Sequence, residues 1–197
     1  MSAEDRAKWD GIYLRRALEA YPPPDALLVA YAPPPARPPL RVALDLAAGL
    51  CQNALWLAEQ GYLVNAMDIS RVALERGRAE MAMRNLRNIN FINVDLDQVD
   101  LPREVYDLVC SFHYLNRALF PTLRASIKPG GMIIYQTYNI RRLETQPDMT
   151  REYLLELGEL PTFFPGWEVR HDEDVGDLSR FVACKPLPTD DEGGNDG

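Results

Sequence analysis

Apolar positions along this chain recur in two rhythms that alternate. Leu40–Leu46 is a short apolar run suited to a buried strand, and 53–60 is an almost wholly apolar helix closed by Gly61. Tyr62–Asp68 reads as a second strand. Ser70 is placed to cap a helix running through Arg87, with Val72, Ala79, Met83 and Leu86 as its apolar face. Residues 89–94 and 106–112 read as the third and fourth strands. A helix over 116–127 ends at a Lys128-Pro-Gly-Gly turn, and 132–138 makes the fifth strand. Beyond it, 151–157 has a helical pattern, while 167–171 and 179–185 read as two last strands. Strands alternating with helices imply right-handed crossovers and a mainly parallel sheet covered on both faces. No internal repeat is visible.

The edges differ from this body. Residues 1–20 read as an N-terminal helix, with Trp9, Ile12, Tyr13 and Leu18 as candidate apolar contacts. Residues 21–39 form a proline-rich linker, because proline at that density breaks helices and favours extended spacers. Within it Ala26–Ala30 suits a short helical turn. The main domain is expected over 40–187, with a disordered acidic tail over 188–197.

Composition narrows the class. A chain of 197 residues is long enough for one domain with a real core. Its 47% hydrophobic and 25% charged residues are those of a globular protein. No apolar run reaches membrane-spanning length, and 1–9 lacks the basic start and apolar run of a signal peptide, so no membrane partner and a cytoplasmic location are expected. Cys51, Cys110 and Cys184 are widely spaced and odd in number, which argues against a disulfide framework or a paired-cysteine zinc site. His171 lies beside Asp172-Glu-Asp with no matched ligand set, so no metal is expected. A net charge of −8 discourages binding to phosphate backbones. The arginines crowded over 71–87 read as the solvated face of a helix.

In an open parallel sheet, ligands sit beyond the C-terminal strand ends where the strand order reverses. The residues at those ends are Asp45 with the loop to Cys51, then Asp68, Asp95 and Ser111-Phe-His-Tyr. Gly49 lets backbone approach a ligand closely. The helix starting near Asn53 offers free N–H groups to a carboxylate. Asp68 follows at the distance where an acid accepts hydrogen bonds from ribose hydroxyls, and Asp95 stands one strand further on. Each acid alone is equally a cap or turn residue. Together, in order at three strand ends, they suit an adenosyl ligand.

The segments Asp45-Leu-Ala-Ala-Gly-Leu-Cys-Gln-Asn-Ala-Leu-Trp-Leu-Ala, Met67-Asp-Ile-Ser, Asn93-Val-Asp-Leu, Tyr106-Asp-Leu-Val-Cys and 123–135 resemble the class I S-adenosylmethionine-dependent methyltransferases. Trp9-Asp-Gly-Ile-Tyr and the Asn-Ala-Leu-Trp-Leu-Ala helix are similar to small bacterial methyltransferases of the tellurite-resistance type. The resemblance spans roughly residues 6–186. It implies a Rossmann-like three-layer sandwich, α/β, with a mainly parallel seven-stranded sheet and an antiparallel last strand. It also implies S-adenosyl-L-methionine as cofactor. Asp45, Ala47 and Gly49 would line its methionine end, and Asp68 would take the ribose with Ile69 against the adenine. Asp95 and Leu96 would hold the adenine edge, and Ser111 would close the pocket through its backbone.

Ala47 and Cys51 stand where the family usually has glycine. Cys51 is read as a tolerated small residue, with a thiol made reactive at a helix N-terminus as the alternative. Methyl transfer from a sulfonium needs alignment and water exclusion, and a base only when the nucleophile arrives protonated. His113 is the candidate base, with Tyr138 and Arg117 to orient substrate; each has a structural role as its alternative. The nucleic-acid enzymes' Asp/Asn-Pro-Pro-aromatic element and the catechol-type enzymes' acidic metal ligands are both missing after strand four. A small-molecule acceptor is left. A non-catalytic or regulatory cofactor-binding protein and a nicotinamide oxidoreductase are the competing readings. Neither the acceptor nor the oligomeric state follows from the sequence.

Overall fold

The computed structural model describes residues 3–16, 19–34 and 40–188. Leu18, part of the proline run and the tail from 189 lie outside them. Five α-helices are described: α1 (Ala3–Arg15), α2 (Ala26–Tyr31), α3 (Gln52–Glu59), α4 (Arg71–Met83) and α5 (Phe120–Ser126). Seven strands make one sheet: β1 (Val42–Leu46), β2 (Leu63–Asp68), β3 (Ile89–Asn93), β4 (Tyr106–Phe112), β5 (Ile127–Tyr138), β6 (Glu168–Val175) and β7 (Leu178–Cys184). Their order is β3-β2-β1-β4-β5-β7-β6. The first five run parallel, and β7 lies antiparallel between β5 and β6. This is the expected three-layer architecture with its antiparallel last strand.

Strand alternation builds the two cores. On β1, Ala43 faces one cluster with Leu28, Leu55 and Tyr62, while Leu44 and Leu46 face the other with Phe120, Leu123 and Phe181. The sheet order reverses between β1 and β4, whose ends pair Leu46 with Ser111. That reversal opens the crevice in which ligands of such sheets bind. Asp25 caps α2 by accepting from the Leu27 N–H at 2.9 Å, and Leu27 and Leu28 are buried.

Several boundaries differ from expectation. α1 ends at Arg15, and α4 ends at Met83 with Arg84 as its cap. The buried face of α4 is Ala73, Leu74 and Gly77, whereas Met83 is 70% exposed and Ala79 is exposed too. Gly77 sets this rotation, since a Cβ there would stand 2.9 Å from the Cys51 Cβ and Sγ. Residues 116–127 split into a 3-10 turn (Arg117–Leu119) and α5, which Pro121 starts in its first turn. Lys128-Pro-Gly-Gly lies inside β5, where the Gly130 N–H donates to Lys185 O at 2.9 Å. Of 151–157 only the 3-10 turn Arg151–Tyr153 forms.

Candidate functional site

The loop after β1 is built from backbone angles that its side chains resist. Ala47, Gly49 and Cys51 all take left-handed values, with φ +56°, +53° and +63°. For a non-glycine residue each such angle costs roughly 1–2 kcal/mol. The neighbouring structure holds them there. Ala48 N–H donates to Met67 O at 2.9 Å, and Cys51 N–H to Ala48 O at 2.7 Å. Asp45, 1% exposed, accepts from the Ala54 N–H at 3.0 Å through Oδ2 and lies 3.6 Å from the Cys110 Sγ through Oδ1. Burial pushes the Asp45 carboxyl up to about 7, against the pull of the Ala54 and Cys110 hydrogen bonds. The glycine-like path thus survives with two of its three left-handed positions occupied by side chains.

Asp68 ends β2 and ties the loop to the next helix. Its Oδ2 accepts from the Gly49 N–H at 2.8 Å and its Oδ1 from the Ser70 N–H at 2.7 Å. Burial raises its pKa, and these two N–H groups oppose that rise. Ser70 caps α4 by accepting from the Ala73 N–H at 3.2 Å.

Beyond these strand ends lies a cleft of about 370 Å³. Its floor is 47–50 with Gln52 and Asn53; Asp68, Ile69 and Leu96 form one side, and Phe112, His113, Tyr114 and Tyr138 the other. The structure therefore brings together Ala47, Gly49, Asp68, Ile69, Leu96, His113 and Tyr138. Asp45, Asp95, Ser111 and Arg117 stand outside this wall. Asp45 holds α3 from behind. Asp95 caps a 3-10 turn by accepting from the Asp97 N–H at 2.9 Å. Ser111 is buried in the sheet between Leu46 and Tyr135. Arg117 is committed elsewhere: Nε and Nη2 grip Glu159 at 2.6 and 2.8 Å, and Nη1 and Nη2 donate to the Glu152 and Leu154 carbonyls at 2.8 Å.

His113, at φ +58°, leads out of β4 with its ring 5.1 Å from that of Tyr138. Loss of solvent around the imidazole lowers its pKa below the ordinary value, Asp25 and Arg142 acting in opposite senses. The Arg142 guanidinium sits 4.4 Å over Tyr138 and pairs with Asp177 at 2.5 Å. Cys51 is fully buried, and burial raises its thiol pKa, as do Asp45 and Asp68 nearby. A buried neutral thiol packed on Gly77 fits the reading of Cys51 as a tolerated small residue, not the reactive alternative.

Trp9, Tyr13, Arg16 and Pro22 complete the wall; the apolar pattern marked Trp9 and Tyr13 as packing contacts of the first helix and did not place any of the four at the site. Trp9, Tyr13 and Arg16 are spaced i, i+4, i+7, and that spacing on one helical face was the available signal. The Tyr13 hydroxyl lies 2.7 Å from the place a Cβ on Gly49 would take, so a side chain there would displace the Tyr13 ring and add strain at a left-handed angle. A shallower depression of about 500 Å³ lies between 141–146 and the Gly176-Asp177 turn. Among the described residues no group of three His, Cys, Asp or Glu is placed to hold a metal, and no helix is long and apolar enough to cross a membrane.

Residues 43–131 match the family model of a methyltransferase domain. No curated protein matches the sequence. Solved structures with the same fold include an S-adenosylmethionine-dependent methyltransferase from Mesorhizobium loti, at 19% identity and TM-score 0.67, covering 81% of this chain and 96% of that one. TehB from Haemophilus influenzae is similar at 16% identity and TM-score 0.65, covering 75% and 58%. The methyltransferase in a complex with the Haloferax volcanii Trm112 methyltransferase activator is similar at 15% identity and TM-score 0.73, covering 95% and 99%. At such identities the likeness to these structures establishes the fold.

Proposed function

We propose that the chain, whose residues 43–131 match a methyltransferase domain and whose fold is shared by S-adenosylmethionine-dependent methyltransferases, is such an enzyme and methylates a small-molecule acceptor in the 370 Å³ cleft. One observation carries this reading. The glycine-like loop, the β2 acid and the His113–Tyr138 pair share a single cleft at the reversal of strand order. The residues fit the cofactor: Gly49 lines the cleft beside the Tyr13 hydroxyl, Asp68 is a buried acid for ribose hydroxyls, and Ile69 and Leu96 are apolar flanks for a base. Asp45 and Asp95 support the loops from outside the wall. When bound, S-adenosylmethionine supplies a methyl group already activated by its cationic sulfur.

The protein's part is alignment and exclusion of water. His113, kept neutral by its surroundings, accepts the acceptor's proton where the nucleophile arrives protonated. The Tyr138 ring packs beside it and is itself braced by Arg142. The acidic net charge supports a small acceptor over a nucleic acid.

Calorimetry with S-adenosylmethionine and S-adenosylhomocysteine tests the site, and no heat from either at millimolar concentration rejects it. Turnover across an acceptor panel then separates an enzyme from a regulatory binder. With a protonated acceptor, His113→Gln is expected to lower kcat roughly 100-fold or more. The wild-type acid limb should lie below pH 6.5, because the folded imidazole must be deprotonated to act and its pKa is lowered from that value.

A further inference from the structure

A polar network joins the strand end that carries His113 to the segment before α2. At its centre is Gln136 of β5, 5% exposed, whose amide is held at both ends. Its Oε1 accepts from Arg180 Nε at 2.9 Å, and its Nε2 donates to Asp25 Oδ2 at 3.0 Å. The Arg180 contact fixes the orientation of the amide, so that its N–H side is the one turned to Asp25. The backbone carbonyl of the same glutamine accepts the His113 N–H at 2.8 Å. Asp25 has two further bonds. Its Oδ1 takes the Leu27 N–H, and its own N–H donates to Oδ1 of Asn53, on the cleft floor, at 2.8 Å. One residue thus ties the cleft floor to the β5 position that holds His113. Both donors to its carboxylate are neutral, so neither bond consumes its charge.

We propose that Asp25 is the positioning residue for His113: it anchors Gln136, which holds the His113 backbone, and its charge steadies the imidazolium formed when His113 takes the acceptor's proton. The inference rests on the reading of His113 as the base. In that step the acceptor's lone pair forms the new bond to the methyl carbon as the carbon–sulfur bond breaks. The acceptor's proton passes to His113, and the positive charge lost at sulfur reappears on the imidazole. A carboxylate nearby favours that charged form. Burial, which keeps His113 unprotonated, also weakens it as a base; Asp25 and Asp177 act against that effect and Arg142 acts with it. The Tyr138 ring stands beside the imidazole at 5.1 Å.

The chain has two histidines, so proton NMR titration of their ring signals tests this on the whole protein, with His113→Gln assigning the peaks. Asp25→Asn keeps an oxygen to cap α2 and removes the charge. Its His113 midpoint should fall by about half a pH unit or more, a threefold loss of proton affinity. His171 is the control for the seating of α2, because its Nδ1 lies 3.2 Å from the hydroxyl of Tyr31 on that helix. Its titration should stay as in the wild type. An unmoved His113 midpoint overturns the proposal. So does a shift of both histidines, which would mean that Asp25 acts by seating α2. Full turnover by His113→Gln with a protonated acceptor rejects the base itself, and the role of Asp25 with it.

Discussion

Asp45 sits behind the loop where neither solvent nor a cation reaches it, and the cost of charging it there raises its pKa from 3.8 to about 7. Between those values the native chain holds a proton that the unfolded chain has released. The stabilisation is therefore fully present below about pH 4 and is lost as pH rises through 7, by up to about 1.4 kcal/mol per unit. Asp45→Asn keeps an acceptor for the Ala54 N–H and removes the titration. Denaturant unfolding should show the variant gaining on the wild type from pH 4 to 7 and holding level above; a constant difference would place the ionised form in the native state. Cys51 poses a packing question at the same scale. Gly77→Ala drives a Cβ to 2.9 Å from the Cys51 side chain and 3.0 Å from the Phe91 ring. We expect a loss of about 1–3 kcal/mol in the wild type and a smaller one in a Cys51→Gly background. Equal losses would mean that the thiol is not what Gly77 accommodates.

Among the elements, Arg117 organises the segment after β5. Its fork onto Glu159 and its two carbonyl contacts pin the 3-10 turns Arg151–Tyr153 and Leu160–Phe163 onto the start of α5. The Arg117 guanidinium in turn holds Glu159 below its usual pKa. This helps explain why the helical pattern of 151–157 yields one turn: the Glu152 and Leu154 carbonyls go to Arg117, and the Leu155 N–H and C=O go to Tyr138 O and the Ile140 N–H. Arg117→Ala should cost about 2 kcal/mol in denaturant unfolding, with S-adenosylhomocysteine affinity within twofold of the wild type. A fall in kcat at unchanged stability would instead return Arg117 to the substrate. The rotation of α4 shows the same competition. Its apolar residues are spread around the helix, and contact with Cys51 and Phe91 selects the Ala73–Leu74–Gly77 face.

At the scale of the whole molecule, the alternation of runs with periods 2 and 3.6 determined the layered parallel sheet. Burial on both faces demands continuous apolar strands, and those are local and legible. The strand-end positions of the loop, Asp68 and His113 followed from the same logic, since topology places every βα loop at one edge, and Leu96 came only from the family resemblance. Side-chain direction was decided only by tertiary structure. Asp45 turned to α3 and Arg117 to Glu159 because a buried or crowded polar group takes the nearest partners, and those come from segments distant in sequence. The wall formed by α1 was hidden for the same reason: Trp9 and Tyr13 read as apolar contacts of the helix, and their place on the cleft appears only once the helix meets the loop after Asp45. The left-handed angles at Ala47 and Cys51 are tertiary as well. Nothing in an alanine or a cysteine calls for them, and they persist because the strand before and the helix after leave the chain no other path.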